Sequence, residues 1–425
     1  MAAPPRQKKA LGILTRGILG VMLLGLAVAS TREGIARWLE RLGDLATIRK
    51  AEELDPSNPS LFLTESELIS NSPGSDLELA VEALRAATQL GPNRALNWAL
   101  LANAYEIDGN SAAADEAYKK GVTLFPRSPK INWMYANFLI RAGQGNRALA
   151  PLKLAIDGDE AVRVGAFDLS WRAGLASDQI LAAVSDRTDT LSAYLDYLAR
   201  ANRLGPAKEV WSRIVTGSRP VDIGAALHYF DSLLYAHDVD GMVRVWSDLA
   251  HLYPNHVQFK SPEPNLITNG SFEAPLLNGG FDWRTTPIEG AAVFVDGAVA
   301  HGGTQSLCIV FDGSRNVEFT HIVQYVAVEP NSGYRFSAYV RGDRITTDSG
   351  PRFAIYDAFD RTELWVETAN LTGSFDWQQQ ELDFATGPDT RLIVVQALRP
   401  PSHKLDNEIA GSVWFDDVTL TKRSN

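Results

Sequence analysis

The sequence predicts a multidomain chain, α first and then β. It has an N-terminal transmembrane helix, an α-solenoid of helical hairpins and a C-terminal antiparallel β-sandwich. Three observations carry this. An uncharged apolar run, Gly17 to Ser30, follows a basic segment. A helical pattern fills the middle, with Pro56, Pro92 and Pro126 at intervals of 36 and 34 residues. Beyond Pro264 the apolar period becomes two, punctuated by Gly, Pro, Asn and Asp.

The bulk composition excludes several classes. The 425 residues leave room for two to four domains, and 45% apolar content is enough for ordinary cores. A net charge of −11 argues against a nucleic-acid partner, because a phosphate backbone needs concentrated Lys and Arg. The one cysteine, Cys308, excludes an internal disulfide framework and a Cys-based zinc site. Its neighbours Ser306 to Val310 read as a buried strand, so core packing is expected of it.

At the N-terminus, Arg6, Lys8, Lys9 and Arg16 precede the apolar run. From Leu11 to Thr31 the segment is long enough to span a bilayer if Arg16 snorkels to the headgroups. The excess of Lys and Arg before it places the N-terminus in the cytoplasm and the rest of the chain outside. The competing reading is a signal peptide cleaved near Ala29, because Ala27-Val28-Ala29 fits an A-x-A site. Both readings export the body. The expected divisions are 1–31 (basic tail and anchor), 32–258 (helical array), 259–264 (linker) and 265–425 (sandwich).

The stretch from Arg94 to Pro126 sets the register of the array. It reads Trp98-x₂-Leu101-Ala102-x₂-Tyr105, then Ala114-x₃-Tyr118, then Pro126. Thirty-four residues on, Tyr135, Ala136 and Leu139, then Ala148, Leu152 and Ala155, take the same places. The unit before it is diverged, with Asn71-Ser72-Pro73-Gly74 as its turn, and later units loosen until Tyr253-Pro254. About seven helix pairs are counted. Pro at the end of each second helix stops it, since Pro has no N–H and disfavours the α region in the residue before it. One hairpin cannot bury its apolar stripe alone, so the units stack. This region resembles the bacterial tetratricopeptide repeat proteins. The resemblance implies a concave face that binds a protein segment, with Asn97, Asn103, Asn132 and Asn137 as groove residues. The other reading of those asparagines is ordinary solvated helix surface.

The β region opens with Asn265-Leu266-Ile267-Thr268-Asn269-Gly270-Ser271-Phe272-Glu273 and Phe281-Asp282-Trp283. His301-Gly302-Gly303-Thr304-Gln305 follows, and Val413-Trp414-Phe415-Asp416-Asp417-Val418 closes it. Eight short alternating runs lie between 293 and 420. In this order the motifs resemble the jelly-roll carbohydrate-binding modules of the galactose-binding-like superfamily. That resemblance implies a structural calcium held by Glu273 with Asp416 and Asp417, in a hard-oxygen shell. The same acids read equally as turn caps. It also implies glycan contact by loop aromatics and their polar neighbours, here Trp283, Tyr356, Phe359, Trp365, Asp357 and Arg361, against a packing role for the same rings. Trp377 and Trp414 are expected in the core.

No catalytic signature accompanies these residues. H-E-x-x-H, G-x-S-x-G, a Walker loop and a dinucleotide fingerprint are all missing from the sequence. The pairs Asp357/Asp360 and Glu363/Glu367 lack any sign of being opposed across a cleft, as glycoside hydrolysis requires. The expectation is a non-catalytic scaffold or adaptor, anchored in a bacterial inner membrane with a periplasmic body. Its helical repeats would bind a protein partner and its sandwich a polysaccharide or a second protein. A dedicated carbohydrate-binding protein and a glycoside hydrolase are the alternatives.

Overall fold

Residues 5–72, 76–259 and 264–423 are described by the structure, a computed structural model; of residues 5–17 only the backbone is described. The tail 1–4, Pro73 and Gly74 of the expected turn, and Lys260 to Glu263 of the expected linker lie outside the described residues. Two compact bodies divide the chain, Met1–Thr190 and Leu191–Asn425. The division falls inside the helical array, so the last helices belong to the same body as the sandwich.

The first body holds α1 (Pro5–Glu40), α2 (Leu45–Leu54), α3 (Pro59–Ser70), α4 (Leu77–Leu90) and α5 (Ala95–Ile107). It continues with α6 (Ser111–Leu124), α7 (Pro129–Arg141), α8 (Gly145–Gly158), α9 (Glu160–Arg172) and α10 (Ser177–Ala183). The described part of α1, Ile18–Glu40, is long and apolar enough to cross a membrane, and its apolar window is not buried. Ala36, in its last turns, packs with Ala51 and Leu61. Helix starts are capped where the sequence places a short polar residue. Asp44, Asn58, Asp76, Asn110, Ser128 and Asp159 each accept a backbone N–H of the first turn. Pro59 and Pro129 sit at the start of α3 and α7, where the missing N–H costs nothing.

The register residues fill the interior as their spacing requires. Ala102, Ala114, Tyr118, Ala136, Leu139, Ala148, Leu152 and Ala155 are all buried. Gly121 is small for a reason, since a Cβ there would stand 3.1 Å from the Ala95 carbonyl oxygen on the facing helix. The array is completed by α11 (Thr188–Arg200), α12 (Leu204–Thr216), α13 (Ile223–Tyr235) and α14 (Val239–Leu252).

Two of the expected groove asparagines are corrected. Asn97 is buried, with Nδ2 donating to the Ala87 carbonyl. Asn132 is buried too, with Nδ2 donating to the carbonyls of Pro126 and Ser128. Asn97 ties the start of α5 to the end of α4, and Asn132 ties the start of α7 to the turn before it, so neither faces a groove. Asn103 is exposed, and Asn137 is half-buried with its amide donating to the Trp133 carbonyl.

The second body carries two five-stranded antiparallel sheets, a sandwich of the jelly-roll kind. Its strands are β1 (Arg284–Thr285), β2 (Ala291–Asp296), β3 (Ser306–Asp312), β4 (Phe319–Ala327) and β5 (Gly333–Ile345). They continue with β6 (Arg352–Asp357), β7 (Trp365–Glu367), β8 (Gly373–Ala385), β9 (Leu392–Arg399) and β10 (Ala410–Lys422). One sheet runs β1-β4-β9-β6-β7 and the other β2-β3-β10-β5-β8. Ile322, Phe353, Ile355, Ile393 and Val395 from the first meet Ile309, Phe336, Val340, Val413 and Phe415 from the second in one core. Cys308 is buried, and burial pushes its thiol up to about 12.

Register overrides the expectation for two tryptophans. Val413 and Phe415 point into the core, so Trp414 between them lies on the outer face, half-buried, its Nε1 bonded to Asp296. Trp377 is likewise half-buried, beside the rings of His301 and Tyr339. Neither is core.

Two buried charged groups brace the sandwich. Arg399, at the end of β9, has no exposed surface and donates to the carbonyls of Ser349, Val317 and Asn407 and to the side chains of Asn316 and Thr347. Asp282 accepts the Leu277 N–H at 2.7 Å, and burial pushes its carboxyl up to about 6, against the pull of that N–H and of Trp283 and Asn269. Folding therefore favours the protonated acid. This contribution is fully present below the unfolded pKa near 4 and is lost as pH rises to about 6. Asp282→Asn is expected to lose that dependence. The stability difference between the variant and the native chain, followed by urea unfolding, should move in favour of the variant by on the order of 2 kcal/mol between pH 4 and pH 7. A difference that is flat with pH refutes the assignment.

Candidate functional site

The outer face of the sheet β1-β4-β9-β6-β7 gathers the chemistry. Alternation fixes which side chains reach it. Ile322, Phe353, Ile355, Ile393, Val395 and Ala397 point inward, so Val323, Tyr325, Ala354, Tyr356, Val394 and Gln396 point out. Strand register then lines them up. Tyr325 pairs with Val394, Val394 with Tyr356, and Tyr356 with Trp365, one row across four strands. The next row reads Arg284, Val323, Gln396, Ala354, Glu367.

The rings are held by their neighbours. Tyr356 and Trp365 stack with centroids 5.0 Å apart and planes 19° from parallel. The Arg361 guanidinium, from the β6–β7 loop, lies 4.4 Å from the Tyr356 centroid and 5.3 Å from that of Trp365. Its Nη2 donates to the Tyr356 hydroxyl at 3.3 Å. Trp365 is 41% exposed, and its Nε1 donates to Glu367 Oε1 at 3.0 Å, while Arg352 pairs with the other oxygen at 3.4 Å. At the far end Arg284 lies 5.3 Å from the Tyr325 centroid and pairs with Asp231 of α13 at 2.6 Å. Gln396 donates to the Thr320 carbonyl at 3.0 Å. Burial above all raises the pKa of the Tyr356 hydroxyl, with Arg361 pulling the other way, so it stays a neutral donor. Burial also raises Tyr325, with Arg284 opposing and Asp231 and Tyr235 adding to the rise.

Of the six residues expected to touch a glycan, Tyr356, Trp365 and Arg361 come together here. Phe359 stands beside them but stacks on His237 of the α13–α14 turn, centroids 3.9 Å apart. Asp357 and Trp283 are corrected. Asp357 is buried and accepts the N–H groups of Phe359 and Asp360 at 2.8 Å each, so it shapes the loop. Trp283 has no exposed surface, packs on Phe272, and donates to the Asn269 carbonyl. Sequence reasoning missed Tyr325, Arg284 and the residues of α13. For Tyr325 the signal was present, since β4 alternates and puts it on the same face as Val323.

The acidic residues expected around a cation all border one glycine hairpin, without forming a group of three metal ligands among the described residues. Glu273 accepts the N–H groups of Thr304 and Gln305 and the Thr304 hydroxyl. Asp416 is buried and accepts the N–H groups of His301 and Gly302, and Asp417 bonds the His301 ring at 2.6 Å. Glycine is needed at the hairpin these acids surround. A Cβ on Gly303, at φ +63°, would stand 2.2 Å from Glu273 Oε1, and one on Gly302 2.6 Å from Asp417 Oδ2. Contacts with Thr304 hold the Glu273 pKa below its usual value, whereas burial raises that of Asp416. The cluster joins the opening segment to the closing strand.

No family model matches the chain, and neither does any curated protein. Several solved structures share partial likeness. One is a family 16 carbohydrate-binding module, 23% identical, covering 37% of this chain and 99% of that one, with a TM-score of 0.27. A second, described as a CBM4 structure, is 20% identical over 37% of this chain and 99% of that one, with a TM-score of 0.28. A third, TmCBM61 in complex with β-1,4-galactotriose, is 18% identical over 38% of this chain and 100% of that one, with a TM-score of 0.27. At these identities and scores the likeness adds nothing to the geometry.

Proposed function

We propose that this protein binds glycan, without catalysis, on the outer face of the sheet β1-β4-β9-β6-β7. The observation that carries the reading is the Trp365 ring, exposed at the end of the row Tyr325–Val394–Tyr356–Trp365, in which Val394 and Tyr356 are themselves buried. Trp365 stacks on Tyr356, the exposed Arg361 guanidinium lies over both rings, and Glu367 accepts the indole N–H. A pyranose presents a C–H face to a ring and hydroxyls to its edges, which is what this exposed ring meets. The one carboxylate of the second row, Glu367, is engaged by Arg352 and Trp365. Asp357 and Asp360 cap their own loop. Opposed acid and base carboxylates are therefore not part of this reading.

The apolar helix α1 supports a membrane-anchored placement, with the body exported to the bacterial periplasm. The helical hairpins, read as tetratricopeptide-like repeats, support a scaffold role toward a protein partner in cell-envelope or exopolysaccharide assembly. The test is retention of the detergent-solubilised full chain on a panel of immobilised polysaccharides. Retention on at least one, competed by its soluble oligosaccharides, is expected, and retention on none overturns the reading.

Calcium is proposed for the acidic cluster. Glu273, Asp416 and Asp417 carry hard oxygens around one glycine hairpin, and these accept N–H groups of the hairpin and bond His301. No three metal-ligating side chains are grouped there among the described residues, so an ion would have to displace those contacts. Bound there, calcium would supply positive charge to three carboxylates and nothing to chemistry. Saturating calcium is expected to raise the thermal midpoint of the full chain by several degrees over the chelated protein, with Glu273→Gln losing the shift. An unchanged midpoint refutes the site.

A further inference from the structure

A separate cavity, of about 300 Å³, opens between α12 and α14. The sequence sets the same spacing on both helices. Lys208, Trp211, Ser212 and Val215 stand at i, i+3, i+4 and i+7 on α12. Gly241, Arg244, Val245 and Asp248 do the same on α14. Each helix therefore turns one stripe, part apolar and part polar, into the cavity. Trp211 and Val245 are buried, whereas Lys208, Ser212 and Arg244 are exposed at the rim. Tyr229 enters from α13, its ring centroid 5.8 Å from that of Trp211.

The acids of this cavity already have partners. Asp248 Oδ2 accepts the Trp211 indole N–H at 2.8 Å, Asp238 accepts the Gly241 N–H at 2.9 Å, and Asp240 pairs with Arg391. The donors do not. The side chains of Arg244 and Lys208 form no ion pair or hydrogen bond among the described residues. Tyr229 is 3% exposed, and its hydroxyl bonds to no protein group among them. Burial above all pushes that hydroxyl up to about 12, and the charges of Asp238 and Arg244 act on it in opposite senses. Both of those residues line the cavity, so the hydroxyl is a neutral donor on the cavity side. A hydroxyl withdrawn from water without a partner is unfavourable, and a ligand oxygen in the cavity supplies one.

We propose that this cavity binds a hydroxy acid of monosaccharide size, its carboxylate on Arg244 and Lys208 and another of its oxygens on the Tyr229 hydroxyl. A guanidinium suits a carboxylate because its planar donors match two oxygens at once. Asp248 keeps Oδ1 to accept a ligand hydroxyl. The three acids nearby weigh against a doubly charged phosphate and in favour of a single negative charge. The volume is at the small end of ligand sites, which selects one ring over an oligomer. This site uses no residue of the sheet face and stands apart from the glycan reading.

The test is isothermal titration calorimetry of the detergent-solubilised full chain with galacturonate, glucuronate and gluconate, against galactose and inorganic phosphate. At least one of the three acids is expected to bind about ten-fold more tightly than either control. Arg244→Gln is expected to weaken that binding about ten-fold, and Tyr229→Phe about five-fold. Tyr229→Phe should also leave the melting temperature within about 2 °C of the native value, because the hydroxyl has no protein partner to lose. A larger fall shows the hydroxyl to be structural and removes it from the site. If none of the three acids binds, the inference falls. It falls equally if phosphate binds as tightly as they do, or if an acid binds and neither substitution weakens it. None of these outcomes bears on retention of polysaccharide at the sheet face.

Discussion

Trp365→Ala is expected to weaken glycan retention by roughly ten-fold to a hundred-fold, the range of a central aromatic anchor. The ring is exposed on one side and stacked on Tyr356 on the other, and Arg361 sits over both. Alanine removes the platform and one of the two rings under the guanidinium, so surface for a sugar and alignment of its charged partner are lost together. The melting temperature should stay within about 2 °C of the native value, because exposed substitutions of this kind change stability by less than about half a kcal/mol. Titrating the variant against whichever polymer retains the native chain measures the first quantity, and a calorimetric scan the second. Unchanged retention would remove the sheet face as the site, and a large fall in melting temperature would show the ring to be structural.

The largest effect on stability is expected at Arg399. Its guanidinium lies in the interior with no carboxylate in ion-pair contact among the described residues, and burial holds its pKa below the usual value against the pull of Asp348. Five acceptors take its donors, gathered from the segments around Asn316, Thr347, Ser349 and Asn407. Arg399→Met keeps much of the volume but leaves those acceptors unmatched in a dry site. The expected cost is about 3–5 kcal/mol, the size seen when one side of a buried charged network is removed. For a body of this length that corresponds to a fall of about 10 °C in its melting temperature. Arg399→Lys should recover little, since one ammonium cannot reach acceptors set out for a planar fork. A fall of less than 2 °C for the methionine variant would show that water replaces the guanidinium without loss.

The architecture was legible because its two periods are so different. The proline-marked repeat from Arg94 to Pro126 placed the hairpins, and the eight alternating runs after Pro264 all became strands. Strands β1 and β7, of two and three residues, are too short to show a period. The site was less legible. Tyr356, Trp365 and Arg361 stood out as ring and cation near one turn, and they do meet. Trp283 followed the same logic and failed, because the opening segment turns it into the sandwich core against Phe272, while Gly279 and Gly280 before it pack on Leu227 of α13 and Trp246 of α14. Asn97 and Asn132 failed because a buried amide satisfying a carbonyl looks, in sequence, like a polar surface position. The pairing of Asp231 with Arg284 joins residues 53 apart across two kinds of structure, and no local pattern reports it.

Cys308 carries a last consequence. As a strand residue facing Trp414 and Phe294 across β10 and β2, it is shut away with a thiol raised to about 12, so almost none is thiolate at neutral pH. Leu307 and Ile309 on either side point into the core, so Cys308 lies on the outer face of its sheet beside Trp414 and Phe294, and moving the side chains that cover it returns it to water. The rate at which a thiol reagent modifies the native protein is then a clock for that uncovering, and it reports the local free energy of the side-chain packing over the outer face. The chain thus contains its own gauge of how firmly that face is covered.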